Sequence, residues 1–521
     1  MKEYSSLPGS SNANAVLGVL AGMALMVTYV ETMVLPAFEQ FYTFFDGPPL
    51  TTIAWILSAY LLVGVVVTPI FGKLGDRYGK KRMLLLVMSI YAVAVSLAGF
   101  SPNIGAAFGI DRMDQIYVFI GTRAVQGIGM AMFPLAFAMI PEVFPPQKVG
   151  QAQGIVSAMF AVGAALGLVG GGYIAQTYGW QLTYHTVIPV AVILVALTYV
   201  LMNESTRRWE RSIDVPGILG MGFSLAMLMF AITEGSSWGW TNFAGATWGK
   251  LSWGVPEFFL LSAVGLVFFL LWEPRSPSPV VNFHALKERN IWISNVNGVI
   301  AGMAMFLTFV SMTVLAELPY PPGFSQDGFQ FGLIALPSAL TMLATGPFIG
   351  RAVSRWGPKP VMEIGFAAMA LGALALVFQH GSLWELVVYP IPILAGNVAC
   401  LISMSNIIIL SVDSRELGIQ TGMNQTFRNL GSAIGPVLST SLLAAFTTTV
   451  LLPFGIRIQL YTSRGFEVVF GVTVLAAIAG GILSLFVRNF RFLSDGTRHG
   501  HPGLEGIPEE NPVAEVETVA P

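Results

Sequence analysis

The chain has 521 residues, of which 54% are hydrophobic and only 10% are charged, and its formal net charge is −2. Ordinary globular domains carry roughly 25% charged residues, so a soluble protein of this composition could not cover its surface. The near-neutral balance excludes recruitment of nucleic acid by a global field. The single cysteine, Cys400, excludes an intramolecular disulfide and a multi-cysteine metal site. The histidines (His185, His284, His380, His499 and His501) are scattered without a helical pair, so neither a metal nor another cofactor is expected.

Residues 1–14 read as a cytoplasmic N-terminus. The first apolar run, 15–36, is longer than a signal-peptide core and carries Glu31, so it reads as a retained first span. A spanning helix needs about 20 mainly apolar residues. Further runs follow near 51–71, 83–99, 116–139, 150–175, 185–202, 213–233, 256–273, 291–315, 329–350, 360–379, 386–410, 417–446 and 465–487. The predicted fold is an all-α membrane protein with about fourteen transmembrane helices. The Gly/Pro-rich stretches Gly235–Pro256 and Pro319–Asp327 read as loops.

Basic residues gather on the cytoplasmic side of a membrane. With the N-terminus inside and every span crossing once, only Arg112, Lys250, Arg457 and Arg464 of the 26 basic residues face outward. Arg123 and Arg428 fall inside spans, and all the others face the cytoplasm. A wrong helix count would mix the two sides. The chain after residue 487 is polar, proline-containing and acidic, and reads as a disordered cytoplasmic tail over 488–521.

Two segments recur at long range. Pro69, Gly72, Lys73, Arg77, Gly79 and Lys81 align with Pro347, Gly350, Arg351, Arg355, Gly357 and Lys359. Gly150, Gly154, Gly163 and Gly167 align with Gly418, Gly422, Gly431 and Gly435. Both copies have the same orientation under this topology, so the repeat is parallel and places a substrate pathway at the interface of the two halves. The predicted organisation is an N-terminal six-helix bundle over 15–203, two inserted helices with their linkers over 204–290, and a C-terminal six-helix bundle over 291–487.

Gly72-Lys-Leu-Gly-Asp76-Arg77-Tyr-Gly79-Lys-Lys81-Arg82 resembles the signature between the second and third helices of the major facilitator superfamily. Arg123-Ala-Val-Gln126-Gly-Ile-Gly129 looks like its fourth-helix motif, and Gly163-x-x-x-Gly167-x-x-Gly170-Gly171 like its fifth-helix antiporter motif. Trp180 to Pro189, Asp214-x-x-Gly217 and the Gly422…Arg428-x-x-Gly431 run resemble the fourteen-helix drug:proton antiporter branch. The resemblance covers about residues 15–490. Two positions depart from it. The proline after the second glycine of the antiporter motif is Leu168, while Gly431–Pro436 carries such a sequence in the second half. The usual first-helix aspartate position is Val27, with the acid at Glu31.

The resemblance implies a conformational latch built from Gly72, Asp76, Arg77, Gly79, Lys81 and Arg82; topology alone would explain the bases but not the acid or the glycines. The glycines Gly163, Gly167 and Gly171, with Gly431 and Gly435, let helices approach closely, either as fixed packing or at an interface that moves. Glu31 lies in an apolar helix, where an ionised carboxylate costs about 2.5–3.5 kcal/mol. Four residues place it about 40° around from Val27, on nearly the same face. Burial raises a carboxyl pKa and a neighbouring cation lowers it, so a group under both influences can load and release a proton. Arg123 is the expected partner of Glu31, and Gln126 stands one turn from Arg123. Arg428 and Asn424 are expected to support the cavity, by substrate contact or by structural hydrogen bonding. Glu234, Glu257 and Glu317 read as outer-boundary acids outside the coupling machinery.

The leading expectation is a secondary transporter, not an enzyme, exporting hydrophobic or amphipathic small molecules in exchange for protons. It is expected to be monomeric, with both termini cytoplasmic, and to reside in the lipid bilayer of the plasma membrane. Export of a lipid-like metabolite or proton-coupled nutrient uptake on the same fold are the alternatives. A proton-pumping respiratory subunit fits less well, because it needs lysines in mid-membrane and all the lysines here fall in loops or tails. No Gly-x-x-x-x-Gly-Lys-[Ser/Thr] segment is present to hold ATP.

Overall fold

A computed structural model describes residues 13–144, 152, 155–156, 159–160, 162–204, 214–241, 246–248, 251–277, 279, 285–319, 322–411, 417–451, 457–488, 491–492 and 498–499. Helix dominates, as it must where a span has no water to satisfy its backbone. In chain order the helices are α1 (Ala13–Thr32), α2 (Phe38–Phe44), α3 (Leu50–Tyr78), α4 (Lys80–Ala107), α5 (Gln115–Gln126), α6 (Met132–Val143), α7 (Gly172–Tyr178), α8 (Trp180–Leu201) and α9 (Val215–Trp238). There follow α10 (Val255–Trp272), α11 (Arg289–Glu317), α12 (Gly328–Trp356), α13 (Pro358–Phe378), α14 (Leu383–Val388), α15 (Pro390–Ser411), α16 (Leu417–Ala444) and α17 (Ser463–Leu485).

Among the described residues, 12 helical segments are long and apolar enough to cross a membrane. The expectation of about fourteen differs at two places. The span predicted at 150–175 falls partly outside the described residues; its visible end is a π-helical turn, Gly167–Gly171, running into α7. At 417–446 a helix of 28 residues does form. Gln420, Asn424, Gln425, Arg428 and Asn429 make its first half too polar for the count.

The predicted loop Gly235–Pro256 is partly ordered: α9 continues to Trp238, and Ala246–Trp248 pairs antiparallel with Leu251–Trp253. Thr447–Leu451 pairs likewise with Arg457–Tyr461, and Arg491–Phe492 with Arg498–His499. The tail predicted to be disordered otherwise lies outside the described residues, as do residues 1–12.

The two copies of the first repeat fold alike. Gly79 ends α3 and opens α4 at φ +108°, and Gly357 ends α12 and opens α13 at φ +89°. Glycine serves there because other residues strain at such φ values. The glycine runs also correspond. Gly163, Gly167 and Gly171 lie against the backbone of α1 and the residue after it, at Leu25, Tyr29 and Met33. Gly431 and Gly435 lie against Val299 and Met303 of α11. Both contacts are internal to one half, so these glycines serve intra-half packing in the structure rather than the seam between halves.

The halves meet elsewhere. Gly328, at the start of α12, abuts the carbonyl of Pro36, Gly172 abuts Gly328 and Phe329, and Gly332 abuts the carbonyl of Leu168. A Cβ at any of these three glycines would overlap the opposing chain. This closed end, marked by α2, is opposite the basic end that carries Lys80, Lys81, Arg82 and Lys359. The inserted helices α9 and α10 hold each other through Ser224, whose hydroxyl donates to the Ser262 carbonyl at 2.8 Å. α9 leans on both halves, with Gly222 against Val66 of α3 and the Ser441 hydroxyl of α16 donating to the Ile232 carbonyl at 2.7 Å.

Candidate functional site

Glu31 sits on the last turn of α1 and is partly buried. Two cations act on its carboxylate: Arg428 of α16 first and Arg123 of α5 second. The expected pairing with Arg123 is therefore incomplete, since the larger electrostatic partner comes from the other half. Among the described residues no Glu31–Arg123 ion pair closes within 4.0 Å. The acid stands instead under the influence of one arginine from each bundle.

Arg123 is fully buried, and its hydrogen bonds show what holds it. Nε donates to the Ile56 carbonyl of α3 at 3.1 Å, and Nη1 donates to Oε1 of Gln126 at 2.5 Å. The guanidinium lies over the Tyr60 ring, 4.6 Å from its centroid. Cation–π contact of this kind strengthens when both groups are desolvated. Nη2 of Arg123, Nε2 of Gln126 and the hydroxyls of Tyr60 and Tyr184 have no protein partner although all are buried. Such groups are costly when left alone, so the pocket between α3, α5 and α8 is a polar one inside an apolar bundle. Tyr60 and Tyr184 were not singled out from sequence; Tyr184 lies within the Trp180–Pro189 motif, which was its one signal.

The second half is more conventional. The Asn424 amide donates to the Ser294 carbonyl at 2.9 Å and to Oδ1 of Asn295 at 3.2 Å. It is buried where α16 packs on α11. Arg428 is partly buried on the same helix.

The corner expected to be a latch is bound mainly within its own half. Lys80 forms an ion pair with Glu142 and donates to the Ala138 carbonyl, both at the end of α6. Glu204, just beyond α8, accepts from the backbone N–H groups of Lys81 and Arg82 at 3.1 and 3.2 Å. The Arg82 guanidinium stands 3.6 Å from the same carboxylate, and Lys81 Nζ donates to the Tyr199 carbonyl at 2.7 Å. Glu204 thus serves as a remote cap for α4, satisfying two of the donors every helix start leaves free. A side chain at Gly72 would point into open space, and Arg77 is exposed. The Asp76 side chain lies outside the described residues. Lys73 reaches the inter-half linker, donating to the Pro279 carbonyl at 3.1 Å. Glu142, at the end of α6, and Glu204, just beyond α8, escaped the sequence reading because each is a lone acid with no spacing to tie it to the corner.

At the basic end of the inserted pair, Asp214 caps α9 by accepting from Gly217 N–H at 3.0 Å, and it also accepts from the Trp272 indole at 2.8 Å. Burial raises this carboxyl, but the hydrogen bonds outweigh it and hold the group below the usual aspartate range. Glu257 accepts from the Gly254 N–H at 2.9 Å at the start of α10. Glu317 stands at the end of α11, its last residue, where that helix meets α2, and is only 8% exposed. No cluster of three or more His, Cys, Asp or Glu able to hold a metal occurs among the described residues.

Comparison with known proteins agrees with this architecture. The chain is similar to YcnB, an uncharacterized MFS-type transporter of Bacillus subtilis, with 23% identity across 92% of this chain and 95% of the relative. It is also similar to the multidrug transporter protein MdtP of the same organism, with 26% identity across 74% of this chain and 67% of the relative. In fold it resembles the crystal structure of a mutant of the nucleoside transporter NupG, with TM-score 0.56 at 13% identity, covering 91% of this chain and 99% of that one. The model of the Major Facilitator Superfamily matches residues 20–436 and again 296–511. Two like bundles of membrane helices, the matching glycine corners and this family match together make the chain a transporter rather than an enzyme, and it belongs to the Major Facilitator Superfamily.

Proposed function

We propose that this protein is a proton-coupled exporter of hydrophobic or amphipathic small molecules, of the fourteen-span drug:proton antiporter type. The observation that carries the proposal is Glu31, a carboxylate within a membrane helix that feels Arg428 of one half and Arg123 of the other. Rocking of the two bundles changes the distance from Glu31 to Arg428 while Arg123 stays in the same bundle as the acid. A nearby cation lowers a carboxyl pKa, so such a movement converts a change of shape into proton loading or release. Similarity to a multidrug transporter supports the substrate class.

In this reading the bundles comprise residues 15–203 and 291–487, with the inserted pair between them. The basic end faces the cytoplasm of the cell whose plasma membrane holds the protein. The charge asymmetry of the loops supports that orientation. The corner at Gly72–Arg82 then acts as a rigid block that transmits movement of α3 and α4 to the linker through Lys73.

The test is transport in vesicles with an imposed pH gradient and a panel of organic cations and neutral amphiphiles. Glu31→Gln keeps the shape of the side chain and removes its charge. It is expected to retain substrate binding and to lose uphill transport. Accumulation at the wild-type rate in Glu31→Gln would remove Glu31 from the coupling step.

A further inference from the structure

At the α2 end the two halves touch through more than glycine. The backbone N–H of Glu39, in the first turn of α2, donates to Oε2 of Glu317 at 3.0 Å. Glu317 is the last residue of α11, so the bond ties the chain just after the first span of one bundle to the first helix of the other. The position of the carboxylate is over-determined from behind. The chain after α11 folds back on it, with Phe324 N–H donating to the Leu315 carbonyl at 3.2 Å and Gln326 N–H to the Ala316 carbonyl at 2.8 Å. Oε1 of Glu317, by contrast, is buried and has no hydrogen-bond partner. The charged groups that act on it are Glu39 itself and Asp327, the N-cap of α12, and both are acids.

We propose that Glu317 is a positioning residue for the transport cycle, a polar clasp that sets how readily the α2 end opens. A glycine seam loses its hold steeply as it parts, because a gap of about 0.5–1 Å already forfeits roughly a quarter to a half of each van der Waals contact. A hydrogen bond from a fixed amide to a fixed, buried carboxylate adds a directional hold at the same place. The unpartnered Oε1 and the two neighbouring acids set the clasp short of its maximum strength, as a gate that must reopen in every cycle requires. This role is separate from that of Glu31, which lies within the α1 span and does not touch the seam.

The geometry predicts opposite effects for two substitutions. Glu317→Ala removes the acceptor and loosens the seam. Glu317→Gln keeps an oxygen for the Glu39 amide and puts an NH2 donor in place of the unpartnered Oε1 next to two acids, Glu39 and Asp327, so it tightens the seam. The reporter is a disulfide between Tyr173→Cys and Phe329→Cys in a Cys400→Ser background. Those rings meet across the seam with centroids 5.5 Å apart, so the two side chains face each other there, and the crosslinking rate of the parent calibrates the reporter. With mild oxidant in native membranes, Glu317→Ala is expected to slow crosslinking about tenfold, the effect of losing a hydrogen bond to a charged group. Glu317→Gln is expected to crosslink as fast as the parent or faster. Thermal unfolding of each variant in detergent controls for damage to the fold. The proposal is overturned if Glu317→Ala crosslinks like the parent, if Glu317→Gln is slowed as much as Glu317→Ala, or if both lose thermal stability with crosslinking unchanged, which would make Glu317 a structural residue only.

Discussion

Removal of the Glu204 carboxylate tests whether the corner between α3 and α4 is a rigid block. Glu204 accepts from two backbone donors at the start of α4 and neighbours the Arg82 guanidinium. Loss of a helix cap costs about 0.5–2 kcal/mol. The Arg82 pair adds little, because the Arg82 side chain is 66% exposed and exposed pairs are worth roughly 0–1 kcal/mol. Glu204→Ala should therefore destabilise the N-terminal bundle by about 1–2 kcal/mol, a factor of about 5–30 in its unfolding equilibrium. Glu204→Gln keeps one oxygen for one of the two amides and should lose about half as much. The assay is thermal or SDS unfolding of purified protein, followed by intrinsic tryptophan fluorescence, with transport measured in parallel. The expected order of stability is parent, then Glu204→Gln, then Glu204→Ala. Equal stability of Glu204→Ala and parent, or a Gln variant weaker than the Ala variant, would refute the capping argument.

Two other outcomes are expected. Asp214 has a carboxyl held below the usual range, so its folded value lies under the unfolded one of about 3.9. Its contribution is complete above the unfolded value and is lost as pH falls through the folded one. The stability gap between parent and Asp214→Asn should stay constant from pH 7 to 5 and shrink below pH 4; a gap that closes by pH 6 would rule this out. For topology, single cysteines replacing Lys287 and Lys250 in the Cys400→Ser background should label from opposite faces of the membrane, Lys287 from the cytoplasm. Labelling of both from one face would exclude the fourteen-span arrangement.

Much of the fold was legible because the physics that builds it is local. A run of about 20 apolar residues has one stable form in a bilayer, and the glycines at Gly79 and Gly357 mark sharp corners wherever they recur. The polar pocket around Arg123 was half legible. A buried arginine announces itself in an apolar helix, and Gln126 one turn away follows from helical spacing. Tyr60 does not, because nothing in sequence brings α3 across the guanidinium. The seam was the least legible part. Gly163 and Gly431 belong to strong sequence patterns, yet they pack within single bundles, while Gly172, Gly328 and Gly332, which lie where the bundles touch at the α2 end, belong to no repeat.

That contrast follows from what each contact must satisfy. Packing inside a bundle is the same problem in both halves, so the two copies solve it with the same residues at the same spacing. The first helix of each half meets the fifth across glycine, as α1 meets Gly163 and α11 meets Gly431. Contacts between bundles face a different requirement at each end of the membrane, so they need not repeat. One end closes through Pro36, Gly172 and Gly328 with Glu317 as its polar contact. The electrostatics divide the same way. Arg123 is fixed within its bundle by Ile56, Gln126 and Tyr60, so its influence on Glu31 varies little as the bundles rock. Arg428 is carried by the opposite bundle, so under the proposed rocking it is the cation whose influence on Glu31 changes. Under the proposed coupling, this asymmetry between the two related halves is what would give transport its direction.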